Sequence, residues 1–165
     1  MVQFSSQARI LIIGQAPGTR VHETGIPWND SSGDRLRQWT GLSIDEFYDA
    51  RKVASMPMGF CYPGRRKGGD LPPRSECGPL WHDKILAQLP ARRLTLLVGL
   101  YAQAAYLPQP QSSLTQNVRE FQRYGPLLCP LPHPSWRSAG WSKRNLWFEA
   151  EVLPELKKWV RASLD

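Results

Sequence analysis

Three short segments combine hydrogen-bonding side chains with prolines and glycines that stiffen the backbone around them. The first, residues 14–18, reads Gly-Gln-Ala-Pro-Gly. Its glycines allow a ligand to approach the backbone closely, and Gln15 can hold a water or a polar ligand atom. The glycine spacing excludes a phosphate-binding P-loop and a dinucleotide fingerprint. A tight turn at the end of a strand would explain the same residues.

The second and third segments add an aromatic surface and a histidine. Residues 24–28 read Thr-Gly-Ile-Pro-Trp, so that a proline directly precedes Trp28. Such a tryptophan is a good stacking surface for a base, although a core tryptophan is the ordinary alternative. Residues 133–137 read His-Pro-Ser-Trp-Arg, which places His133 between two prolines. Ser135 can donate to a phosphate, Trp136 can wedge or stack, and Arg137 can pair with a phosphate.

These segments follow stretches that have the character of buried strands. Residues 8–13 and 94–98 are apolar on both faces, as in a parallel sheet that helices cover. A weaker strand is predicted within residues 52–56, and another within 127–131. Ligands bind outside the carboxyl ends of such strands, and residues 14–18 and 132–137 both lie there.

Helical patterns alternate with these strands, which predicts an α/β domain with a mostly parallel sheet. Predicted helices cover residues 33–40, a short segment with a capping box that begins at Ser43, 79–89, 101–106, and a long carboxyl-terminal stretch from about Lys143 in which Pro154 produces a kink. In that last helix, Leu146, Ala150, Leu153, Leu156, Val160 and Leu164 form the predicted apolar stripe. Residues 19–30, 61–74, 107–113 and 132–141 are predicted loops.

Composition narrows the class of protein further. The chain has 165 residues with 21 basic and 14 acidic side chains, a net charge of +7 that suggests an anionic partner. Its apolar runs are far shorter than the roughly 20 residues of a membrane helix. Three scattered cysteines are too few for a disulfide framework, and no signal peptide is evident. We therefore expect a cytoplasmic protein that does not bind membranes.

Taken together, the three segments resemble motifs of the uracil-DNA glycosylase superfamily, in matching order and separation along nearly the whole chain. Residues 14–18 resemble the water-activating loop, which reads Gly-Glu-x-Pro-Gly in the iron–sulfur branch. Residues 24–28 resemble the Thr-Gly-x-Pro-Phe of that branch. Residues 133–135 match the His-Pro-Ser loop that enters the minor groove. The resemblance implies a three-layer α/β/α fold around a four-stranded, mostly parallel sheet, here one domain spanning residues 1–165, and a monomer.

The resemblance also implies roles for individual residues. Trp28 would stack on a base flipped out of DNA, and His133 would stabilise the anionic leaving group. The backbone amides around Gln15 and Ala16 would face the base. DNA contacts would come from Ser135, Trp136 and Arg137. The basic run Arg65, Arg66 and Lys67, together with Arg74, is a further candidate for gripping phosphates.

Three positions depart from the family pattern. Gln15 replaces the glutamate of the iron–sulfur branch and cannot act as a general base, so Asp30 or Asp34 is the candidate substitute; a helix cap is the alternative for both. The usual asparagine after the second strand is absent from residues 55–59, which leaves base reading to the backbone or to Asn29.

The third departure concerns the cysteines. Cys61 and Cys77 resemble the middle pair of the four cluster ligands, but no outer pair precedes the first strand. Two cysteines cannot hold a four-iron cluster, so we expect no cofactor and no metal. A zinc site formed by Cys61, Cys77 and His82 is the alternative. Cys129 is expected in the core of a strand.

The sequence thus predicts a monofunctional DNA glycosylase that hydrolyses the N-glycosidic bond of uracil, or of another deaminated base, in DNA. Its predicted catalytic residues are His133, Gln15 and Asp30. The alternative is an altered superfamily member that binds DNA or a flipped base without excising it.

Overall fold

The computed structural model describes residues 1–165 and centres on a four-stranded sheet. With strands numbered along the chain, β1 (Ile10–Ile13), β2 (Val53–Ser55), β5 (Leu94–Val98) and β6 (Leu128–Leu131) lie in the order β2-β1-β5-β6, and every neighbouring pair is parallel. The two remaining strands, β3 (Arg65–Arg66) and β4 (Gly69–Asp70), form a separate antiparallel hairpin. The predicted α/β class and parallel sheet are confirmed.

Both faces of the sheet are apolar because successive side chains of a strand point to opposite sides. In β1, Ile10 and Ile12 belong to one core cluster, and Leu11 and Ile13 belong to the other. All four are buried. Such a strand is stable only when helices cover both of its faces.

Helices supply those two outer layers. One face is covered by α2 (Ser31–Thr40), α3 (Ile44–Tyr48) and α8 (Leu153–Leu164), and the other by α4 (Cys77–Leu86) and α5 (Leu100–Tyr106). The predicted three-layer α/β/α arrangement is therefore confirmed. The capping box of α3 is present as well: Ser43 Oγ accepts from Glu46 N at 3.1 Å, and Ser43 N donates to Glu46 Oε2 at 2.9 Å. No helix is long and apolar enough to cross a membrane.

Several predicted loops contain short regular elements. A six-residue helix, α1 (Thr19–Thr24), lies within the segment predicted as a loop between 19 and 30, and β3 and β4 lie within the 61–74 loop. Beyond α5, α6 (Leu114–Arg119) was not predicted. The helices α1 and α6 are one or two turns long, and the strands β3 and β4 have two residues each. They bury few side chains, such as Val21 in α1, so their sequences show no apolar periodicity.

The predicted long carboxyl-terminal helix is wrong in its first half. Instead, α7 (Ala139–Arg144) ends before Asn145, and a π-helical turn, Phe148–Val152, runs into α8. Leu146 is 72% exposed, whereas Phe148 and Val152 are buried. The π turn adds a residue to one helical turn and shifts the apolar face, and Pro154 sits in the first turn of α8, where its missing N–H is tolerated.

Candidate active site

A cavity of about 480 Å³ opens at the carboxyl ends of β1, β2 and β6. The three sequence segments meet there, although more than 100 residues separate the first from the third. The predicted site residues that line the cavity are Gln15, Ala16, Trp28, Asp30, Arg65, His133, Ser135, Trp136 and Arg137. The strand-end rule accounts for this convergence, because parallel strands all end at one edge of the sheet.

The loop of residues 14–18 is held against the segment that follows β2. Gly14 O accepts from Met58 N, and Gln15 O accepts from Gly59 N, each at 2.9 Å. The backbone N–H groups of Gln15 and Ala16 donate to no protein acceptor. Two free donors beside a cavity are suited to a carbonyl-bearing or anionic ligand.

Trp28 is held in place by several contacts. Its Nε1 donates to Ser55 Oγ at 3.2 Å, and its carbonyl accepts from the Tyr48 hydroxyl at 3.4 Å. A Cβ at Gly14 would lie 2.7 Å from Trp28 Cζ2, so the indole packs where any other residue would project a side chain. Its φ of 59° is left-handed, which for a non-glycine residue costs about 1–3 kcal/mol and is found chiefly at functional sites.

His133 follows β6 and lies across from Trp28. The centroids of the two rings are 6.4 Å apart, with an interplanar angle of 38°. The carbonyl of His133 accepts from Ser138 Oγ at 2.5 Å, which fixes the backbone of the loop. Burial lowers the pKa of His133 against the opposing influence of Asp30 and Asp70. The imidazole is therefore neutral at pH 7, and it can donate a hydrogen bond through one ring nitrogen.

The two carboxylate oxygens of Asp30 have different surroundings. Its Oδ1 accepts from Gly33 N at 2.9 Å, which makes it the N-cap of α2. Its Oδ2 lies 3.8 Å from the position of a Cβ on Gly18, so the second oxygen faces the loop of residues 14–18. The carboxylate of Asp34 instead pairs with Arg37 and does not line the cavity.

The loop of residues 133–137 forms one rim of the cavity. Arg35 Nη1 donates to Ser135 O at 2.7 Å and anchors the loop to α2. Trp136 is 72% exposed, and the Arg137 guanidinium lies 5.5 Å from the centroid of its ring. An aromatic side chain this exposed beside a cavity is placed to meet a partner.

The hairpin of β3 and β4 forms a second rim. Arg65 and Asp70 are paired across the hairpin and both line the cavity, whereas Arg66 and Lys67 are exposed beyond it. Gly69 has a φ of 148°, and the Arg137 guanidinium occupies the space that a side chain on Gly69 would need. The two rims therefore touch each other.

Asn29, which the sequence predicts to read the base, does not line the cavity. Its Nδ2 donates to Thr24 Oγ1 at 3.4 Å.

The cysteines and His82 do not assemble a metal site. No group of three His, Cys, Asp or Glu side chains is arranged to hold a metal ion. His82 Nε2 donates to Pro57 O at 3.0 Å, so its Nδ1 accepts from the Tyr106 hydroxyl at 2.5 Å, and neither nitrogen is free. Cys129 is buried in β6, as predicted, and burial raises the pKa of its thiol. This donor set fits neither an iron–sulfur cluster nor zinc.

Four positions in or beside the cavity are not predicted from the sequence. Ser55 and Pro57 line the cavity at the end of β2, where the strand-end rule would have found them. Asp70 lies on the unpredicted hairpin, and no pattern in its neighbourhood identifies it. Gly33 packs directly against the carbonyl of Trp28, so that position excludes a side chain.

A family model described as the uracil DNA glycosylase superfamily matches residues 1–157. The match spans the sheet, the cavity segments and the start of α8, and it confirms the resemblance seen in the motifs. A DNA glycosylase-type function, with DNA as partner, is what this match supports. Because it covers nearly the whole chain, the protein belongs to the uracil DNA glycosylase superfamily.

Proposed function

We propose that this chain acts as a monomeric, single-domain and monofunctional DNA glycosylase, which hydrolyses the N-glycosidic bond of uracil or another deaminated base. The observation that carries the proposal is the convergence of Trp28, Gln15 and His133 on one cavity. A cavity of about 480 Å³ is large enough for a single base and part of its sugar.

The base is held by stacking and by backbone donors. A nucleotide flipped out of the duplex places its base on the Trp28 indole. The N–H groups of Gln15 and Ala16, which have no protein acceptor, donate to its carbonyl oxygens. The cavity presents no asparagine at the end of β2, so these backbone donors carry base recognition.

Bond cleavage follows from the charges in the site. The bond between C1′ and the base nitrogen breaks with its electron pair moving to the base, and neutral His133 donates a hydrogen bond to the resulting anion. The deoxyribose becomes oxocarbenium-like, and the free oxygen of Asp30 supplies a negative charge nearby. The Gln15 amide orients the water that attacks C1′, and the Asp30 carboxylate accepts the proton that this water loses. The base anion takes up a proton from solvent after it is released. No lysine lines the cavity, which favours hydrolysis without a lyase step.

DNA is gripped by the two rims. Ser135 and Arg137 contact phosphates beside the flipped nucleotide, and Trp136 fills the space that it vacates. Arg65, Arg66 and Lys67 on the hairpin meet phosphates farther along the strand. None of these four cations forms an ion pair within the protein, so their charges are available to DNA.

Base release from labelled oligonucleotides tests the proposal. Single- and double-stranded DNA that contains uracil, hypoxanthine or xanthine is incubated with the protein, and abasic sites are cleaved with alkali. We expect strand cleavage above the blank for at least one base. His133→Ala should lower the single-turnover rate by about 100-fold or more, because the leaving group loses its hydrogen-bond donor.

His22→Ala is the matched control, since His22 is exposed and does not line the cavity. It should keep the rate of the native protein. Salt-dependent binding to DNA without release of any base would overturn the proposed activity. That result would instead favour a base-binding superfamily member, a possibility motivated by the amide at Gln15 and the methyl group at Ala16.

A further inference from the structure

The hairpin places one carboxylate, Asp70, among the cations that rim the cavity. Asp70 lines the cavity together with His133, Asp30 and Gln15. Asp70 lies opposite Arg65 in the register of the two strands, and the adjacent Gly69 contacts the side chain of Arg137. This arrangement places an acid on the surface proposed to meet a polyanion.

The fold makes little use of this charge. Asp70 forms no ion pair, although Arg65 is its cross-strand neighbour. Its one side-chain hydrogen bond comes from the Tyr62 hydroxyl, which donates to Oδ1 at 3.5 Å, near the limiting distance of a hydrogen bond. An unpaired carboxylate at a DNA-facing rim repels phosphates and weakens binding.

The proposed reaction gives such a charge a use. Positive charge develops on the deoxyribose as the glycosidic bond breaks, and a nearby fixed carboxylate stabilises that charge more than it stabilises the ground state. A base that stacks on Trp28 inside the cavity would leave its sugar nearer to the mouth, where Asp70 and the other rim residues lie. Asp70 also acts electrostatically on His133, whose pKa it raises against burial, which supports their proximity.

We propose that Asp70 is a second catalytic carboxylate of this site, which contacts the deoxyribose of the flipped nucleotide and stabilises its oxocarbenium-like state. The inference rests on the proposed glycosylase function. The loop of residues 14–18 lacks a carboxylate. Two other elements supply the negative charge instead: the N-terminus of α2 through Asp30, and the hairpin through Asp70.

The test compares two abasic-site analogues in DNA, a pyrrolidine that mimics the cationic sugar and a neutral tetrahydrofuran. Dissociation constants are measured at one salt concentration for the native protein, Asp70→Asn and Asp45→Asn. Asn keeps the size of the side chain and an oxygen for Tyr62. Asp45 is exposed in the first turn of α3, outside the cavity, so its variant controls for the change in net charge.

We expect the native protein and Asp45→Asn to bind the pyrrolidine more tightly than the tetrahydrofuran. In Asp70→Asn, the ratio of the two dissociation constants should be about tenfold closer to one. Asp70→Asn should bind the neutral analogue as tightly as the native protein or more tightly, because a repulsive charge is gone. A role limited to folding would weaken binding to both analogues alike. An unchanged ratio of the two dissociation constants in Asp70→Asn overturns the proposal.

Single-turnover excision provides the second readout. If the native protein releases a base, Asp70→Asn should do so roughly 10- to 100-fold more slowly, and an equal rate would overturn the role of Asp70 alone. If the native protein releases no base, the proposed function fails. The analogue ratio still decides whether Asp70 senses a cationic sugar.

Discussion

At the scale of single residues, the site depends on groups that the fold holds in costly states. Trp28 has a left-handed backbone, and the partly buried His133 lies on a loop between two prolines. Each state persists only because neighbouring groups enforce it: Ser55 and Gly14 for the indole, and the prolines beside His133 for the loop. Such enforced geometry is the physical form of a preorganised site.

Gly14→Ala tests the contact that seats Trp28. The new Cβ would lie 2.7 Å from Cζ2, so the indole must move, and we expect binding of DNA that contains an abasic analogue to weaken by about 1–3 kcal/mol. Gly18→Ala makes the same substitution in the same loop, but its Cβ meets only Asp30 Oδ2 at 3.8 Å. Fluorescence-anisotropy titrations of the two variants should differ clearly. If both variants lose the same binding free energy, the contact between Gly14 and Trp28 does not determine DNA binding.

The stability of the protein should fall as the pH falls because of two histidines. Burial lowers the pKa of both His133 and His82. As the pH drops through about 6.5, the unfolded chain binds protons that the folded chain does not, so the free energy of unfolding decreases until the folded histidines also titrate. Each contributes at most about 1.4 kcal/mol per pH unit.

Urea denaturation between about pH 7.5 and pH 5.5 measures this effect. The slope of stability against pH should be smaller in His133→Gln and in His82→Gln than in the native protein. Slopes that do not change in either variant would contradict the assignment to these two groups.

At the scale of elements, the start of α2 joins folding and chemistry in one residue. Asp30 caps the helix with one oxygen and turns the other toward the loop of residues 14–18, while Gly33 allows the carbonyl of Trp28 to approach the same turn. The helix N-terminus thereby fixes both the stacking surface and a carboxylate. The hairpin of β3 and β4 likewise positions Arg65 and Asp70, at the second rim of the cavity.

Two substitutions of Asp30 separate its roles. Asn is as good an N-cap as Asp, so Asp30→Asn should keep the native stability and lose activity, because only the charge disappears. Asp30→Ala should lose activity and also about 1 kcal/mol of stability. Thermal unfolding and single-turnover excision measure the two effects. Native activity in Asp30→Asn would remove Asp30 from the mechanism and leave it as a cap.

At the scale of the whole molecule, the net charge is +7, and basic side chains lie beside a cavity at each end of the sheet. Arg65, Arg66, Lys67 and Arg137 lie at the cavity rims, near the carboxyl ends of the strands. Arg9 and Arg92 lie at the amino ends of β1 and β5, together in a second cavity of about 450 Å³. If DNA binds over the first cavity, only the first group should contribute to the salt dependence of binding.

A pair of double variants tests this asymmetry. Arg66→Ala with Lys67→Ala should lower the slope of log K against log salt by up to about 2, because roughly 0.9 of a counterion is released per phosphate contact. Arg9→Ala with Arg92→Ala removes the same charge from exposed residues at the other end and should leave the slope nearly unchanged. If both double variants reduce the slope equally, DNA does not bind specifically over the first cavity, or the slope reports only the net charge of the protein.

The sequence by itself determined the sheet and the three segments of the site. Strands such as β1 are apolar on both faces, and this local pattern reports burial directly. Because parallel strands end at one edge of the sheet, the sequence predicts that residues 14–18 and 132–137 meet there. Four of the 15 prolines and two of the seven tryptophans lie in the three site segments.

Only the tertiary structure decided which side chains enter the cavity. Asn29 lies outside the cavity and donates to Thr24 Oγ1, and Asp70 enters the cavity through a hairpin of two-residue strands. The π turn before α8 similarly moved the buried face from Leu146 to Phe148. These outcomes depend on single dihedral angles and on contacts between distant segments, which leave no periodic trace in the chain.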